Sequence, residues 1–182
     1  MEYNKKKVLL FSLLKALQTE FFGIFVMLFF WAVAKAMGLF ANIIFGFTGL
    51  MCVVCIMADY AMKQGEIARE RARLHGDDVK ESFGLAIGGV AMIPSYITML
   101  VLVLSKAGAV GNFLPAYKIL NACYFPFIDI AAHSAKVSEM SNLTFIMTGL
   151  FPLLYLISGW IGFRLTYNQV DVKEKVVYKH GK

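Results

Sequence analysis

Charged residues are scarce in this 182-residue sequence: Asp, Glu, Lys and Arg make up 16% of it, whereas an average soluble protein has about 25%. Hydrophobic residues make up 59%. Two stretches, residues 83–105 and 143–163, contain no charged residue at all. Each is long enough to cross a bilayer as a helix, which needs about 20 apolar residues. This composition argues against a soluble domain and predicts a small all-α polytopic membrane protein.

Sequence signatures of catalysis are also missing. The chain has no Walker A, HExxH or GxSxG motif and no convincing Ser/His/Asp set. Asp129 and His133 share the i,i+4 spacing of a metal pair, but only Glu139 lies nearby as a third ligand, and metal sites usually need three or four. We therefore predict no catalytic residues, no metal and no cofactor, which favours a protein that is not an enzyme.

Hydropathy divides the chain into four spans within a single membrane domain, residues 1–182. The spans are expected at about 14–35, 39–58, 83–105 and 143–163. Residues 5–18 are basic and then amphipathic, with leucines on one side, which predicts an N-terminal interfacial helix. Residues 59–82 are charged and predict a cytoplasmic loop into which the second span continues as a helix. Residues 106–142, the connecting segment, are too apolar for a simple loop and predict an interfacial or re-entrant structure.

The distribution of Lys and Arg predicts the orientation in the membrane. Of the 18 Lys and Arg residues, 14 lie in the N-terminal segment, the 59–82 loop or the C-terminal tail, and four lie on the other side of the predicted spans. Because cytoplasmic loops collect Lys and Arg, both termini are expected in the cytoplasm. Net charge of +6 therefore indicates a plasma-membrane protein and does not indicate a nucleic-acid partner.

Paired prolines suggest where a ligand could bind. Pro94 and Pro152 lie near the middle of the third and fourth spans, and paired interruptions of this kind point to a transporter site at the midplane. Neighbouring hydroxyl groups could line such a site: Ser95, Tyr96, Thr98, Tyr155 and Ser158. The alternative is a packing kink, since Pro is tolerated in membrane helices. Four glycines at small-residue spacing predict close helix packing: Gly84, Gly88, Gly159 and Gly162.

Two further features remain open to more than one interpretation. Glu20 is the best candidate for an intramembrane charge, which would pair with Lys15 or serve an ion path; otherwise it lies at the membrane boundary, as Lys35 and Asp59 do. Cys52 and Cys55 form a CxxC pair and resemble the pair of four-helix membrane thiol oxidoreductases. Those enzymes place the pair at the outer face and use a second cysteine pair, whereas Cys123 stands alone. Packing is the alternative.

About a quarter of the chain resembles a group of uncharacterised small four-helix bacterial membrane proteins. The resemblance lies in FGLAIGGVAMIPSYITMLVLVLSKAG at residues 83–108 and GNFLPAYKILNACYFPFI at 111–128. It implies a bacterial plasma membrane and carries no functional residues across. The sequence as a whole predicts a permease-like protein or an accessory subunit of a membrane transport complex, with the bilayer, a membrane protein or a second copy as partner. The alternative is a thiol-disulfide oxidoreductase using Cys52 and Cys55.

Overall fold

A computed structural model describes residues 3–76, 79–132 and 136–168, with the side chains of residues 30–37 excepted. A helical run Lys5–His75 is broken at Gly38, whose φ of 65° and ψ of −140° are not helical, and is divided here into α1 and α2. The helices are α1 Lys5–Phe29, α2 Gly38–His75, α3 Phe83–Ala91, α4 Ile93–Lys106, α5 Leu114–Leu120, α6 Phe125–Ala132, α7 Asn142–Leu150 and α8 Leu153–Tyr167, with 3-10 turns at Ala122–Tyr124 and Val137–Glu139.

Three helical stretches in the described part of the chain are long and apolar enough to cross a membrane. They are α1, α2 and the stretch Asn142–Tyr167 that α7 and α8 form together. A fourth is present if α3 and α4, which are bent by 46° between Ala91 and Ile93, count as one span. These helices are consistent with the polytopic membrane class that the composition predicts.

The first two long helices form an antiparallel hairpin. The hydroxyl of Tyr60 on α2 donates to the carbonyl oxygen of Val8 on α1 at 2.7 Å. Towards the other end of the hairpin, Cys123 lies against both Gly23 of α1 and Gly49 of α2. The turn between the helices uses Gly38, because a positive φ favours a residue without a Cβ.

Glycines lie where α3 packs against α8 and where α8 packs against the hairpin. A Cβ added at Gly159 would lie 2.7 Å from the Cα of Gly88, and one at Gly84 would lie 2.7 Å from the Cβ of Phe163. A Cβ at Gly162 would lie 2.7 Å from the carbonyl oxygen of Ala58 on α2. The four glycines singled out in the sequence thus lie where backbones approach closely, and small residues are what permit such approaches between membrane helices.

The N-terminal residues differ from the prediction. Residues 5–18 do not form a separate interfacial helix, because they open the continuous helix α1. Ser12, on the polar side of this stretch, is buried and donates to the carbonyl oxygen of Ile87 at 2.5 Å, whereas Leu10 and Leu14, on the leucine side, are exposed. In a bilayer the polar side chain gains by turning towards a partner, while leucine is as well solvated by lipid as by protein.

The helices extend beyond the expected spans. Helix α1 begins at Lys5, whereas the first span is expected from about residue 14, and α2 continues as far as His75, in line with the predicted helical continuation into residues 59–82. It ends at Gly76, where a φ of 69° stops the helix. Helix α3 begins at Phe83, and Ser82 before it forms no side-chain cap. Pro94 occupies the first turn of α4, where its missing N–H costs no helical hydrogen bond.

The connecting segment folds back into the helical bundle. Three glycines on the hairpin face it: Gly23 and Gly49 face Cys123, and Gly46 faces the ring of Phe127. A Cβ at any of the three would collide with the segment. We call the 3-10 turn Ala122–Tyr124 the tip. It lies in a groove of the α1–α2 hairpin, where glycines leave room for its backbone.

Candidate functional site

A buried carboxylate lies where α1, α8 and the tip meet. Glu20 is only 8% exposed. Its Oε1 accepts a hydrogen bond from the hydroxyl of Tyr155 at 2.9 Å, and its Oε2 lies 3.5 Å from the backbone N–H of Cys123, which donates to it. Tyr155 and Cys123 are themselves 0% and 1% exposed. We call these three residues the Glu20 site.

Each element of the Glu20 site has a local reason for its position. The tip follows Asn121, whose φ of −121° and ψ of 52° end α5 and let the backbone N–H of Cys123 point into the bundle. The thiol of Cys123 donates to the carbonyl oxygen of Thr19 at 3.4 Å, which ties the tip to α1. Tyr155 lies in the first turn of α8, directly after Pro152 ends the preceding helix. Its position therefore depends on the break in the last span.

No Lys or Arg among the described residues forms an ion pair with Glu20. The predicted pairing with Lys15 is wrong, because the Lys15 ammonium donates to Oε1 of Gln18 at 2.9 Å. Ion pairs here are Lys63 with Asp59, Lys118 with Asp129, and Arg164 with Glu81. The carboxyl of Glu20 is thus held by neutral donors alone. The alternative position at a membrane boundary stays a prediction.

A second buried polar group supports the tip from the side of α4. Asn121 is fully buried and donates through Nδ2 to the hydroxyl of Thr98 at 2.9 Å and to the carbonyl oxygen of Tyr117 at 3.1 Å. Because an unpaired amide in an apolar interior is costly, these bonds fix the start of the tip. Thr98 therefore positions the backbone that reaches Glu20, without touching Glu20.

A cavity of about 410 Å³ lies between α1 and the connecting segment. Its volume falls in the range of small-molecule sites, about 300–1,000 Å³. One ion pair lies in its wall, formed by the Lys118 ammonium and the Asp129 carboxylate at 2.6 Å. The residues that line the cavity are Met27, Leu28, Leu114, Pro115, Lys118, Ile119, Phe125 and Asp129.

The residues predicted to line a ligand site are dispersed. Tyr155 reaches Glu20, while Tyr96 donates to the carbonyl oxygen of Gly149 at 3.1 Å. Ser95 and Ser158 are buried, and Pro94 and Pro152 lie at helix breaks. None of these residues belongs to the wall of the 410 Å³ cavity. The structure thus joins Tyr155 to Glu20, while Tyr96 links the segment around Pro94 to the backbone near Pro152.

Other predicted features lie on the surface or outside the described chain. Cys52 and Cys55 are free thiols within the continuous helix α2, with Cys52 partly buried and Cys55 exposed. Asp59 pairs with Lys63 at 2.7 Å on an exposed face. Asp129 pairs with Lys118, and His133 lies outside the described residues. The described part of the chain holds no cluster of three or more metal-ligating side chains.

Sequence reasoning missed the contribution of the connecting segment. The donor to Glu20 from the tip is a backbone N–H. Because every residue except proline carries this group, the residue types in the sequence could not identify the donor. One signal was present: Gly23, Gly46 and Gly49 mark one face of each hairpin helix, and small residues in membrane helices indicate a close approach. These glycines do not show which part of the chain lies against them, since a neighbouring helix fits the pattern equally well.

The comparisons with known proteins leave the site to be interpreted from its own chemistry. No family model matches the chain, and no curated protein or solved structure matches it. The resemblance to small bacterial membrane proteins stays a prediction.

Proposed function

We propose that this protein is a permease-like protein of the plasma membrane in which Glu20 takes up and releases a transported proton. The observation that carries the proposal is a buried carboxyl on a helix long and apolar enough to span a membrane, held by a tyrosine hydroxyl and a backbone amide. Ionisable groups inside a membrane are costly and mark ion or substrate pathways by default. In this proposal α3 and α4 form one broken span, giving four spans with both termini in the cytoplasm.

The ligands around Glu20 favour a proton over a metal cation. A hard cation needs several oxygen ligands around it, but the polar neighbours of Glu20 are an O–H and an N–H that point their hydrogens at the carboxylate. Such donors suit the ionised carboxylate. On protonation the Tyr155 hydroxyl can rotate and accept a hydrogen bond instead, because a hydroxyl is both a donor and an acceptor. The site can thus hold either form with the same neighbours.

The proposal is tested by proton flux into liposomes that contain the full-length protein and a pH-sensitive dye. A potassium diffusion potential drives proton entry. We expect the wild-type protein to raise the rate above that of protein-free liposomes and Glu20→Gln to remove at least nine-tenths of the increase. The matched control is Glu66→Gln, the same change on an exposed stretch of α2, which should keep the rate within about twofold. Equal rates for wild type and Glu20→Gln, or no increase in wild type, would refute the proposal.

An accessory subunit of a transport complex is a second candidate, which the length of α2 favours. Its 38 residues extend for about 57 Å at 1.5 Å per residue, whereas the hydrocarbon core is about 30 Å thick. The far end bears Arg69, Glu70, Arg71 and Arg73 and offers a charged surface to a partner. Affinity purification in mild detergent should then recover a larger membrane protein. Truncation of α2 cannot serve as the control, because Arg69 donates to the carbonyl oxygen of Thr166 at 2.9 Å; charge reversal at exposed Glu70 can.

A further inference from the structure

The 410 Å³ cavity combines an apolar interior with charge at one place only. Six of its lining residues are apolar, among them fully buried Leu114. The ion pair Lys118–Asp129 supplies the charge. A wall of this composition fits an amphiphile, whose tail gains from apolar burial and whose headgroup needs polar partners.

The cavity opens towards lipid. Leu28 and Ile119 in its wall are 59% and 48% exposed, and Phe25 and Phe29, near Leu28 on α1, are also exposed. Because a soluble surface rarely exposes a continuous apolar patch of this kind, this face of α1 belongs in the bilayer. An occupant therefore enters sideways from the membrane, and the surrounding lipid is the nearest source of one.

The two charges at the wall differ in accessibility, and this difference selects the headgroup. The side chain of Lys118 is 11% exposed, whereas that of Asp129 is 46% exposed. An incoming group therefore meets a carboxylate first, and the ammonium behind it is covered. A cationic headgroup is attracted to this end of the cavity and an anionic headgroup is repelled.

We propose that this cavity binds one acyl chain of a membrane lipid with a primary-amine headgroup, whose ammonium pairs with Asp129. An ethanolamine phospholipid has this chemistry. The amine donates to the exposed side of the carboxylate while Lys118 keeps its bond to Oδ1. The proposal stands apart from proton movement at Glu20, since the Glu20 site and the cavity wall share no residue.

Native mass spectrometry of the full-length protein in mild detergent tests the proposal. Ethanolamine and glycerol phospholipids with identical acyl chains are titrated separately, and the fraction of protein with one bound lipid is measured. We expect half-saturation with the ethanolamine lipid at a concentration at least fivefold lower than with the glycerol lipid. Asp129→Asn should reduce this preference to less than twofold. Equal half-saturation of both lipids by wild type, or an unchanged preference in Asp129→Asn, would overturn the headgroup assignment.

Blocking the cavity tests its location. Ile119→Trp adds bulk at the exposed mouth, where folding is least disturbed, and should raise the half-saturating concentration of the ethanolamine lipid at least fivefold. The matched control is Leu100→Trp, an equally bulky change at a lipid-exposed position, 61% exposed, on α4 and outside the cavity wall. Equal effects of the two tryptophans would place the bound lipid elsewhere. Proton flux is measured on the same preparations, so a failure of the proposed function and a failure of this inference are separate results.

Discussion

Two carboxylates of this protein lie in opposite environments, although Glu20 contacts the connecting segment and Asp129 is part of it. Glu20 is buried and held by a hydroxyl and a backbone N–H, whereas Asp129 is 46% exposed and paired with an ammonium. An ammonium next to Glu20 would favour its ionised form, whereas neutral donors suit either form of the carboxyl. The ion pair at Asp129 instead presents a partly exposed carboxylate in the cavity wall. The comparison teaches that the partner of a carboxylate, as well as its burial, determines the role that we propose for it: proton uptake at Glu20 and headgroup recognition at Asp129.

The hydrogen bond of Tyr155 should matter most to this contrast. Tyr155→Phe leaves one oxygen of a buried carboxylate without its donor, and we expect a loss of about 1.5–3 kcal/mol in the free energy of unfolding, the range for bonds to charged groups. Tyr96→Phe is the control, because it removes a bond to the neutral carbonyl of Gly149 and should cost about 0.5–1.5 kcal/mol. Unfolding by SDS in mixed micelles measures both. Equal losses would mean that Glu20 is not ionised in the folded protein.

Crowding the tip should disturb the Glu20 site without altering any polar side chain. In Gly49→Ala the new Cβ meets the carbonyl of Cys123, and backbone cannot move aside as a side chain can. We expect a loss of about 1–3 kcal/mol in the free energy of unfolding together with slower proton flux. Gly111→Ala is the control, since a Cβ at Gly111 meets no atom within 4 Å. If Gly49→Ala matched the control in both measurements, the tip would not hold Glu20.

Breaking the ion pair should cost less. Lys118→Met keeps the length of the side chain and removes its charge, leaving Asp129 partly in contact with water and headgroups. Because the Asp129 carboxylate that remains is 46% exposed and can be solvated, we expect a loss below about 1 kcal/mol. The same SDS titration applies. A loss as large as that of Tyr155→Phe would show that the pair is desolvated and would remove the contrast between the two carboxylates.

Replacing the CxxC cysteines should change least. Cys52 and Cys55 are free and lie on α2 outside the residues that contact Glu20. We expect Cys52→Ser combined with Cys55→Ser to keep proton flux within about twofold. Thiol trapping in intact cells gives the second readout. A Cys52–Cys55 disulfide that forms and turns over in cells would favour the oxidoreductase alternative over transport.

The sequence predicted the long apolar helices better than the contacts between them. Stretches without charge identify spans directly, because lipid excludes charge over about 20 residues. Periodicity in residues 5–18 separated the leucines from Ser12, but it could not show that Ser12 binds the backbone of α3, 75 residues away. Glu20 was singled out by its cost in a membrane, but its partners Tyr155 and Cys123 lie more than 100 residues away. The packing of α8 on the hairpin brings Tyr155 to Glu20, and the folding of the connecting segment into the hairpin groove brings Cys123.

The separation of Glu20 and Tyr155 by 135 residues has a consequence for biosynthesis. A ribosome adding 5–20 residues per second needs roughly 7–27 s to extend the chain from one to the other. During that interval α1 has been made, while neither the tip nor α8 exists to supply a donor. We expect Glu20 to enter the bilayer as the neutral acid and to gain its tyrosine only when the last helix is inserted. Completion of translation, rather than insertion of the first helix, would then be the moment at which this glutamate can begin to ionise.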